Sequence, residues 1–495
     1  MLKDILSYGI GTLAALAVVA GLVFLFIRDV TQKKHGVLRN YPIVGRLRYF
    51  FEQLGEYFRQ YFFAGDRDEM PFNRATRGWV YRLAKNEGGT IGFGSTYDLH
   101  APGALIFVNH PFPVLEEERL PTPSLELGEG YCREPFEARS VVNISGMSYG
   151  AISAPAVRSL SKGAAVAGCW LDTGEGGLSP YHLEGGCDVI VQIGTAKYGV
   201  RDSSGQLSPE RLIELSRAAK ALEIKLSQGA KPGKGGVLPG RKVTSEIAQI
   251  RGIPEGRDSI SPNRHRDISS MGDLLDRIAW IRDLTGRPVG VKTAVGGWQF
   301  MHELAELVHR RGLEYAPDFL VIDGGEGGSG AAPQALADHM ALSIDEALPR
   351  VVDALIETGL RSRVRVVASG KIVTSARAAW ALCTGADFVN TARGFMFSLG
   401  CIQALRCHQN TCPTGVTTHN KRLQRALVVE EKYLRVANYA NNMNREIDMI
   451  AHSCGVRHAR ELRREHVRIV QASGQSVALN MLYPYPEPKA QVKVA

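Results

Sequence analysis

The chain has 495 residues, too many for one small domain, and its 44% hydrophobic and 22% charged fractions are those of a globular protein with a sizeable core. Its formal net charge of +9 is not laid out as a Lys/Arg stripe interleaved with aromatics, which excludes a nucleic-acid surface. Eight cysteines in a chain of this size exclude a disulfide scaffold and suit a reducing compartment.

The first element is the uncharged run "LSYGIGTLAALAVVAGLVFLFI", Leu6 to Ile27, which matches the roughly 20 apolar residues that span a bilayer. Lys3 and Asp4 before it nearly cancel, whereas Arg28, Lys33, Lys34, Arg39, Arg46 and Arg48 follow it. This predicts a transmembrane helix over 6–27, a single pass through the cell membrane, and a catalytic body in the cytoplasm. A cleaved signal peptide is the rival. It is disfavoured by the weak basic start, the long apolar run and the basic residues where a cleavage site would stand.

Residues 28–135 form a juxtamembrane and connecting region. Within it "YPIVGRLRYFFEQLGEYFRQYFF" reads as an amphipathic helix that lies near the bilayer or packs on the catalytic body. The Pro- and Glu-rich stretch 110–130 reads as an extended connector.

From 136 to 400 short β-rich runs end in glycine and alternate with helical patterns. The runs are "VVNISGMSYG" (141), "WLDTGEGG" (170), "DVIVQIG" (188), "EIKLSQGAKPG" (223), "RPVGVKTAVGG" (287), "FLVIDGGEGGSG" (319), "VRVVASGK" (364) and "ADFVNTARG" (386). Helical candidates such as "SPERLIELSRAAKALE" and "WQFMHELAELVHRRG" lie between them. The expected fold is α/β, a (β/α)8 TIM barrel. A doubly wound sheet is the alternative, but "SGMSYG" is not the GxGxxG that such a sheet shows after its first strand. The long connector 230–273 is glycine-rich and basic, which points to function. A helical extension over 421–495 carries no chemistry of its own and is assigned to packing or assembly.

Active sites of such barrels gather at the C-terminal ends of the strands. Gly370 and Gly394, after the last two strands, suit a phosphate, with Arg393 adding charge. Lys292 ends strand five, where it can face the electron-rich edge of a flavin or pair with Asp323. Lys225, Gln228 and Lys231 surround the end of strand four and suit a dicarboxylate. Glu175 and Glu326 stand in glycine-rich strand ends as proton carriers, ammonium ligands or partners of a lysine.

Cys401, Cys407 and Cys412 follow at C-x5-C-x4-C, with proline directly after the last. An iron–sulfur cluster is favoured. A zinc completed by His408 or His419, or three unrelated thiols, are the alternatives.

In order, "SGMSYGAIS", "TGEGG", "EIKLSQGAKPGKGG" with "LPGRKV", "SISPNRHRDISS", "VGVKT", "IDGGEGGSGAAP" and "GCIQALRCHQNTCPTGV" resemble the flavin- and cluster-bearing synthase domain of glutamate synthases, over about 140 to 420. The resemblance implies an FMN-binding barrel and a [3Fe-4S] cluster in a loop at 400–420 on Cys401, Cys407 and Cys412. It implies that 2-oxoglutarate and ammonia become L-glutamate through 2-iminoglutarate, by hydride from reduced FMN supplied with electrons through the cluster. Met147 and Ser148 would lie against FMN, Gln228 and Lys292 near its ring, and Gly324, Gly325, Gly370 and Gly394 at the ring edge and phosphate. Lys225 and Lys231 would hold the substrate carboxylates, with Glu175 as the third catalytic group. No cysteine precedes Cys132, so glutamine hydrolysis, which in the family uses an N-terminal cysteine, is not expected. Lys234 replaces a family Glu and "SPNRHRD" a Pro- and His-rich version, a changed loop that leaves room for another 2-oxo acid or amine. The expected electron partner is ferredoxin, an NADPH-linked subunit or a membrane acceptor. An amino-acid or N-methylamino-acid dehydrogenase and a non-catalytic membrane scaffold are the competing functions.

Overall fold

Eight parallel strands close on themselves: β1 Val142–Ile144, β2 Leu171–Asp172, β3 Val189–Ile193, β4 Ala221–Lys225, β5 Val289–Thr293, β6 Phe319–Asp323, β7 Arg365–Ser369 and β8 Phe388–Thr391. Each pairs with the next, and the ring shuts where Val389, Asn390 and Thr391 of β8 face Val142, Asn143 and Ile144 of β1. The expected eight-unit barrel is therefore observed; seven strands lie inside their quoted runs, and β4 starts at Ala221, two residues before its run. The structure, a computed structural model, describes residues 2–487, with side chains from residue 9. The Lys3 and Asp4 charges and the last residues of the 421–495 extension lie outside the described residues.

The chain divides into two compact units, Met1–Arg77 and Gly78–Ala495. In the first, the helix Leu2–Thr31 contains a stretch, Gly9–Thr31, long and apolar enough to cross a bilayer, whose most apolar 18-residue window has no buried residue. A second helix, Gly45–Phe58, continues into a wider turn at Arg59–Phe63. The two helices are tied by Asp29, which accepts hydrogen bonds from the Ile43 amide and Arg46 Nε, each at 2.9 Å.

In the second unit the crossover helices start and stop on local signals. Ser153, Ser208 and Thr374 accept hydrogen bonds from the amides of Ala156, Arg211 and Arg377, capping helices Ala154–Ala167, Pro209–Ser216 and Ser375–Thr384. The first and last of these end on left-handed glycines, Gly168 and Gly385. The middle helix stops at Ser216, earlier than its periodicity predicts, because Ala221–Lys225 is claimed by pairing with both β3 and β5.

β3, β4, β5 and β6 are buried at every position, as strands covered on both faces must be. Successive residues still alternate in and out. At the lower end the inward residues are Trp170, Ile190, Ala221, Phe319 and Phe388, packed with Phe136 and Leu127. Trp170 meets Phe388 edge-on at 5.0 Å and Phe136 at 6.2 Å. Two residues further up the same strands stand Asp172, Gln192, Glu223 and Asn390. An aromatic floor thus carries a polar storey.

The connector 110–130 is extended at its end, where Leu125–Leu127 pairs antiparallel with Phe136–Ala138, and this hairpin plugs the barrel base with Leu127 and Phe136. The helix Val429–Ser453 packs on Ala154–Ala167, where a side chain at Gly163 would stand 2.5 Å from Val436 Cβ. A three-stranded sheet of Leu105–Phe107, Val467–Val470 and Ser476–Ala478 completes the unit.

Phe319→Ala is expected to lower the free energy of unfolding by about 3–5 kcal/mol, because a large ring leaves a floor with no side chain to replace it. Urea unfolding should show a much smaller loss for Leu125→Ala at the partly buried edge of the plug.

Candidate active site at the barrel mouth

The polar storey is organised by charge. Lys292, at the end of β5, is 5% exposed. Among the described residues its ammonium has no hydrogen bond or ion pair. Burial opposes its charge, yet Asp323, Glu223, Asp172 and Glu175 outweigh burial and hold its pKa above the ordinary lysine value. The pairing with Asp323 weighed from the sequence is therefore one of field, not of contact. Asp323 is instead bonded by the Gly229 amide and by Ser369 Oγ, each at 2.8 Å. Gln192 Nε2 donates to Glu223 at 2.6 Å and to Asp172 at 3.2 Å. Burial raises both of these acids above the usual carboxylate range.

Above them Glu175 and Lys225 form an ion pair at 3.1 Å, and Lys225 also donates to Gln228 Oε1 at 2.7 Å. Burial would raise the Glu175 pKa, but Lys225, Lys231 and Arg251 hold it down to about 2. Its carboxylate is wedged between backbones: a side chain at Gly236 would stand 2.2 Å from it, and one at Gly194 2.6 Å from its Cβ. Lys231 is 6% exposed and faces the same carboxylate without an ion pair among the described residues, and burial lowers its pKa. Of the expected catalytic trio, Lys225 is thus already engaged, Glu175 is fixed as an anion, and Lys231 is the cation with capacity left for a ligand.

The glycine loops meet one another. A side chain at Gly229 would collide with Gly324 O, and one at Gly370, whose φ is 112°, would stand 2.7 Å from Gly324 N. Glycine at these positions lets the loops after β4, β6 and β7 touch through bare backbone. Gly325 is packed the same way against Ala341 O, and Gly394 against the Tyr439 hydroxyl. Gln228 Nε2 reaches Gly328 O at 3.1 Å, and Arg393 donates to Glu326 O at 2.6 Å. The Glu326 carboxylate accepts from the Ile344 amide, so it caps the helix Ile344–Glu357. Met147 and Ser148 are half-buried in the loop after β1, where Gly174 abuts the Ser148 amide.

The cysteine loop is held by the long connector. Lys242, 2% exposed, donates to Ala151 O at 2.6 Å and to Cys407 O at 3.2 Å, while Arg241 donates to His408 O at 2.9 Å. Burial pulls Lys242 down to about 8 against the field of Cys407 and Cys412. Burial pushes the Cys407 thiol up; it would do the same at Cys412, where hydrogen bonds from Thr414 and Thr417 outweigh it and lower the thiol. Cys401 Sγ accepts the Gln403 amide at 3.4 Å. Among the described residues no group of three or more His, Cys, Asp and Glu is gathered to hold a metal ion. His419, weighed as a zinc ligand, has its Nε2 2.8 Å from Gly150 O.

Sequence reasoning missed Asp172, Gln192, Glu223 and Arg251. The first three had a signal, polar residues inside runs otherwise apolar. Arg251 had none: it is buried in the connector, donates to Tyr149 O at 3.1 Å and lies 5.2 Å over the Tyr198 ring.

The family model "Conserved region in glutamate synthase" matches residues 114–457. The chain is 40% identical over 499 residues to the glutamate synthase large subunit-like protein YerD of Bacillus subtilis, covering 93% of this chain and 94% of that one. It is 37% identical over 324 residues to the archaeal-type glutamate synthase (NADPH) of Thermotoga maritima, covering 65% of this chain and 61% of that one. The chain therefore spans less than two thirds of the length of the Thermotoga protein. A glutamate synthase large subunit-like protein of Rhizobium meliloti is 31% identical, over 69% of this chain and 77% of that one.

Because the Glu175 pKa falls from 4.5 to about 2 on folding, its ion pair stabilises the fold fully above about pH 4.5 and fades as the pH drops toward 2. The stability gap between the parent and Glu175→Gln should be widest near neutrality and shrink over that window. Urea unfolding at stepped pH measures it, and a gap independent of pH would contradict the ionised assignment.

Proposed function

The chain belongs to the glutamate synthase family and is a glutamate synthase-like oxidoreductase, and we propose that it forms L-glutamate from 2-oxoglutarate and free ammonium with FMN as its hydride carrier. The observation that carries this reading is the barrel mouth itself, where Lys225 and Lys231 flank an ionised Glu175 above the buried Lys292.

The residues fit FMN. Lys292 is a buried cation with no contact partner among the described residues, Asn390 Oδ1 is buried without one, and bare backbone faces bare backbone at Gly229, Gly324 and Gly370. Met147, Ser148, Gln228, Lys292 and the loops of Gly324, Gly325, Gly370 and Gly394 would hold it. When bound, FMN supplies two-electron hydride chemistry. The chain's own work is placement. Lys231 takes a substrate carboxylate, Glu175 stays charged and so binds ammonium rather than collecting its proton, and Lys225 keeps that carboxylate oriented. The aromatic floor excludes water from below.

Cys401, Cys407 and Cys412 are the proposed ligands of a [3Fe-4S] cluster. Three thiols on one loop, with the Lys242 ammonium between Ala151 O and Cys407 O, suit an anionic cluster in donor type and charge. Their sulfurs do not form one ligand group in this structure, so no electron-transfer step is derived through them. The electron partner is ferredoxin, an NADPH-linked subunit or a membrane acceptor. Gly9–Thr31 anchors the protein in the membrane with the barrel in the cytoplasm.

The full chain, purified anaerobically and given a reduced viologen, 2-oxoglutarate and ammonium, should release glutamate detectable by mass spectrometry. Bound FMN without glutamate would overturn the substrate assignment. Lys231→Met should raise KM for 2-oxoglutarate by about 10–100-fold, the equivalent of about 1.5–3 kcal/mol for a lost charged hydrogen bond, at unchanged flavin content. Cys407→Ser should lose iron and keep flavin.

A further inference from the structure

In the sequence between the apolar helix and the barrel lies a segment whose surface the proposed reaction does not use. Leu47, Phe50, Phe51, Leu54, Tyr57, Phe58, Tyr61 and Phe62 recur at three- and four-residue steps and so form one stripe along Gly45–Phe58 and the turn after it. Such a stripe ordinarily faces a core. Here it is bare: Phe50 is 55% exposed, Phe51 61% and Phe62 75%. Charged residues keep to the other side, with Glu52 and Arg59 opposite the stripe and Arg48 resting on the Tyr49 ring at 5.1 Å.

We propose that this stripe lies in the headgroup–acyl boundary of the bilayer that the preceding helix crosses. The inference rests on the reading of Gly9–Thr31 as a membrane span. Three observations choose lipid over other occupants. Asp29, in the last turn of the spanning helix, is buried and bonded to the Ile43 amide and to Arg46, which holds the start of the striped helix at the level where the span ends. The stripe is mostly Phe and Tyr, which collect where apolar and wet surroundings meet. Residues 28–59 carry seven Lys/Arg against three Asp/Glu, a balance that favours an anionic leaflet and disfavours a second copy of the same surface.

The geometry has a consequence for the span. Gly45–Phe58 rises about 21 Å along its axis, so its rings would spread over several headgroups and resist withdrawal of the span. A spanning helix and an in-plane helix joined by a buried ion pair make two membrane contacts of different kind.

The test places the photoreactive residue p-benzoylphenylalanine at Phe51, Phe62 or Glu52 in the full chain, reconstituted into phosphatidylglycerol–phosphatidylcholine vesicles. Irradiation should give phospholipid adducts at 51 and 62, and few at 52, as read by mass spectrometry. Adducts to protein at 51 and 62, whether a second copy or the same chain, would overturn the proposal. No adduct, or equal lipid adducts at all three sites, would overturn it too. Alkaline extraction of the same vesicles separates the two readings: a chain that stays in the lipid without adducts loses only the docking, whereas an extracted chain loses the span as well.

Discussion

The buried ammonium of Lys292 is the constraint around which the barrel mouth is built. A cation at 5% exposure is tolerable only where negative charge replaces the water it has lost, and Asp323, Glu223, Asp172 and Glu175, from the ends of three strands, supply that field. Each of those acids has a second duty. Asp323 takes the Gly229 amide and Ser369, Glu223 and Asp172 share Gln192, and Glu175 holds Lys225. Charge balance and loop placement are consequently the same set of contacts. Substituting one member leaves the others both unpaired and unpositioned, so the cluster responds as a unit. The aromatic floor below it is the complementary requirement, since water entering from the base would dissolve the field.

A second set of contacts joins this mouth to the cysteine loop. The connector between β4 and the helix Met271–Thr285 is not slack. It contains a short hairpin, Val237–Leu238 with Ser259–Ile260, and a helix, Ser245–Arg251. Its Lys242 bonds the loop after β1 through Ala151 and the cysteine loop through Cys407. Its Gly236 borders the carboxylate of Glu175. One continuous segment therefore contacts both the cysteine loop, through a buried lysine, and Glu175, through packed backbone.

The eight strands were legible because each ends in glycine and polar residues after a short β-branched run, a signal local to the sequence. Lys292, Lys225, Lys231 and the glycines were legible for the same reason: strand ends are where barrel chemistry stands. What the sequence hid follows from burial on both faces. In β3 and β4 both faces are buried, so the one signal of Gln192 and Glu223 is a polar residue inside an otherwise apolar run, with no alternation to say which face it takes. The helix expected through residue 223 was cut short by strand pairing, a tertiary demand that periodicity does not encode. Glu326 drew attention through its glycine-rich setting, and its carboxylate takes the Ile344 amide at the start of a helix. The three cysteines are close in sequence; in the structure Cys401 takes the Gln403 amide, while Cys407 and Cys412 share Thr417.

The charge of the mouth also bears on what can enter it. Glu175 and Lys225 cancel, and Lys292 is answered by the acids around it, which leaves Lys231 as the local surplus. Further out, Arg264 and Arg266 line a cavity of about 480 Å³ with Ser261 and Asn263. That cavity sits on the mouth: Pro262 O accepts from Thr195, the second residue beyond β3, and Ser261 O packs on Gly235. His265, between the two arginines, has its Nε2 2.9 Å from the backbone of Lys225. Exposed Arg264 and Arg266 on the connector and buried Lys225 and Lys231 at and beyond the end of β4 thus put positive charge at both the rim and the interior of the mouth. An anion moving inward between them gains attraction as the screening falls.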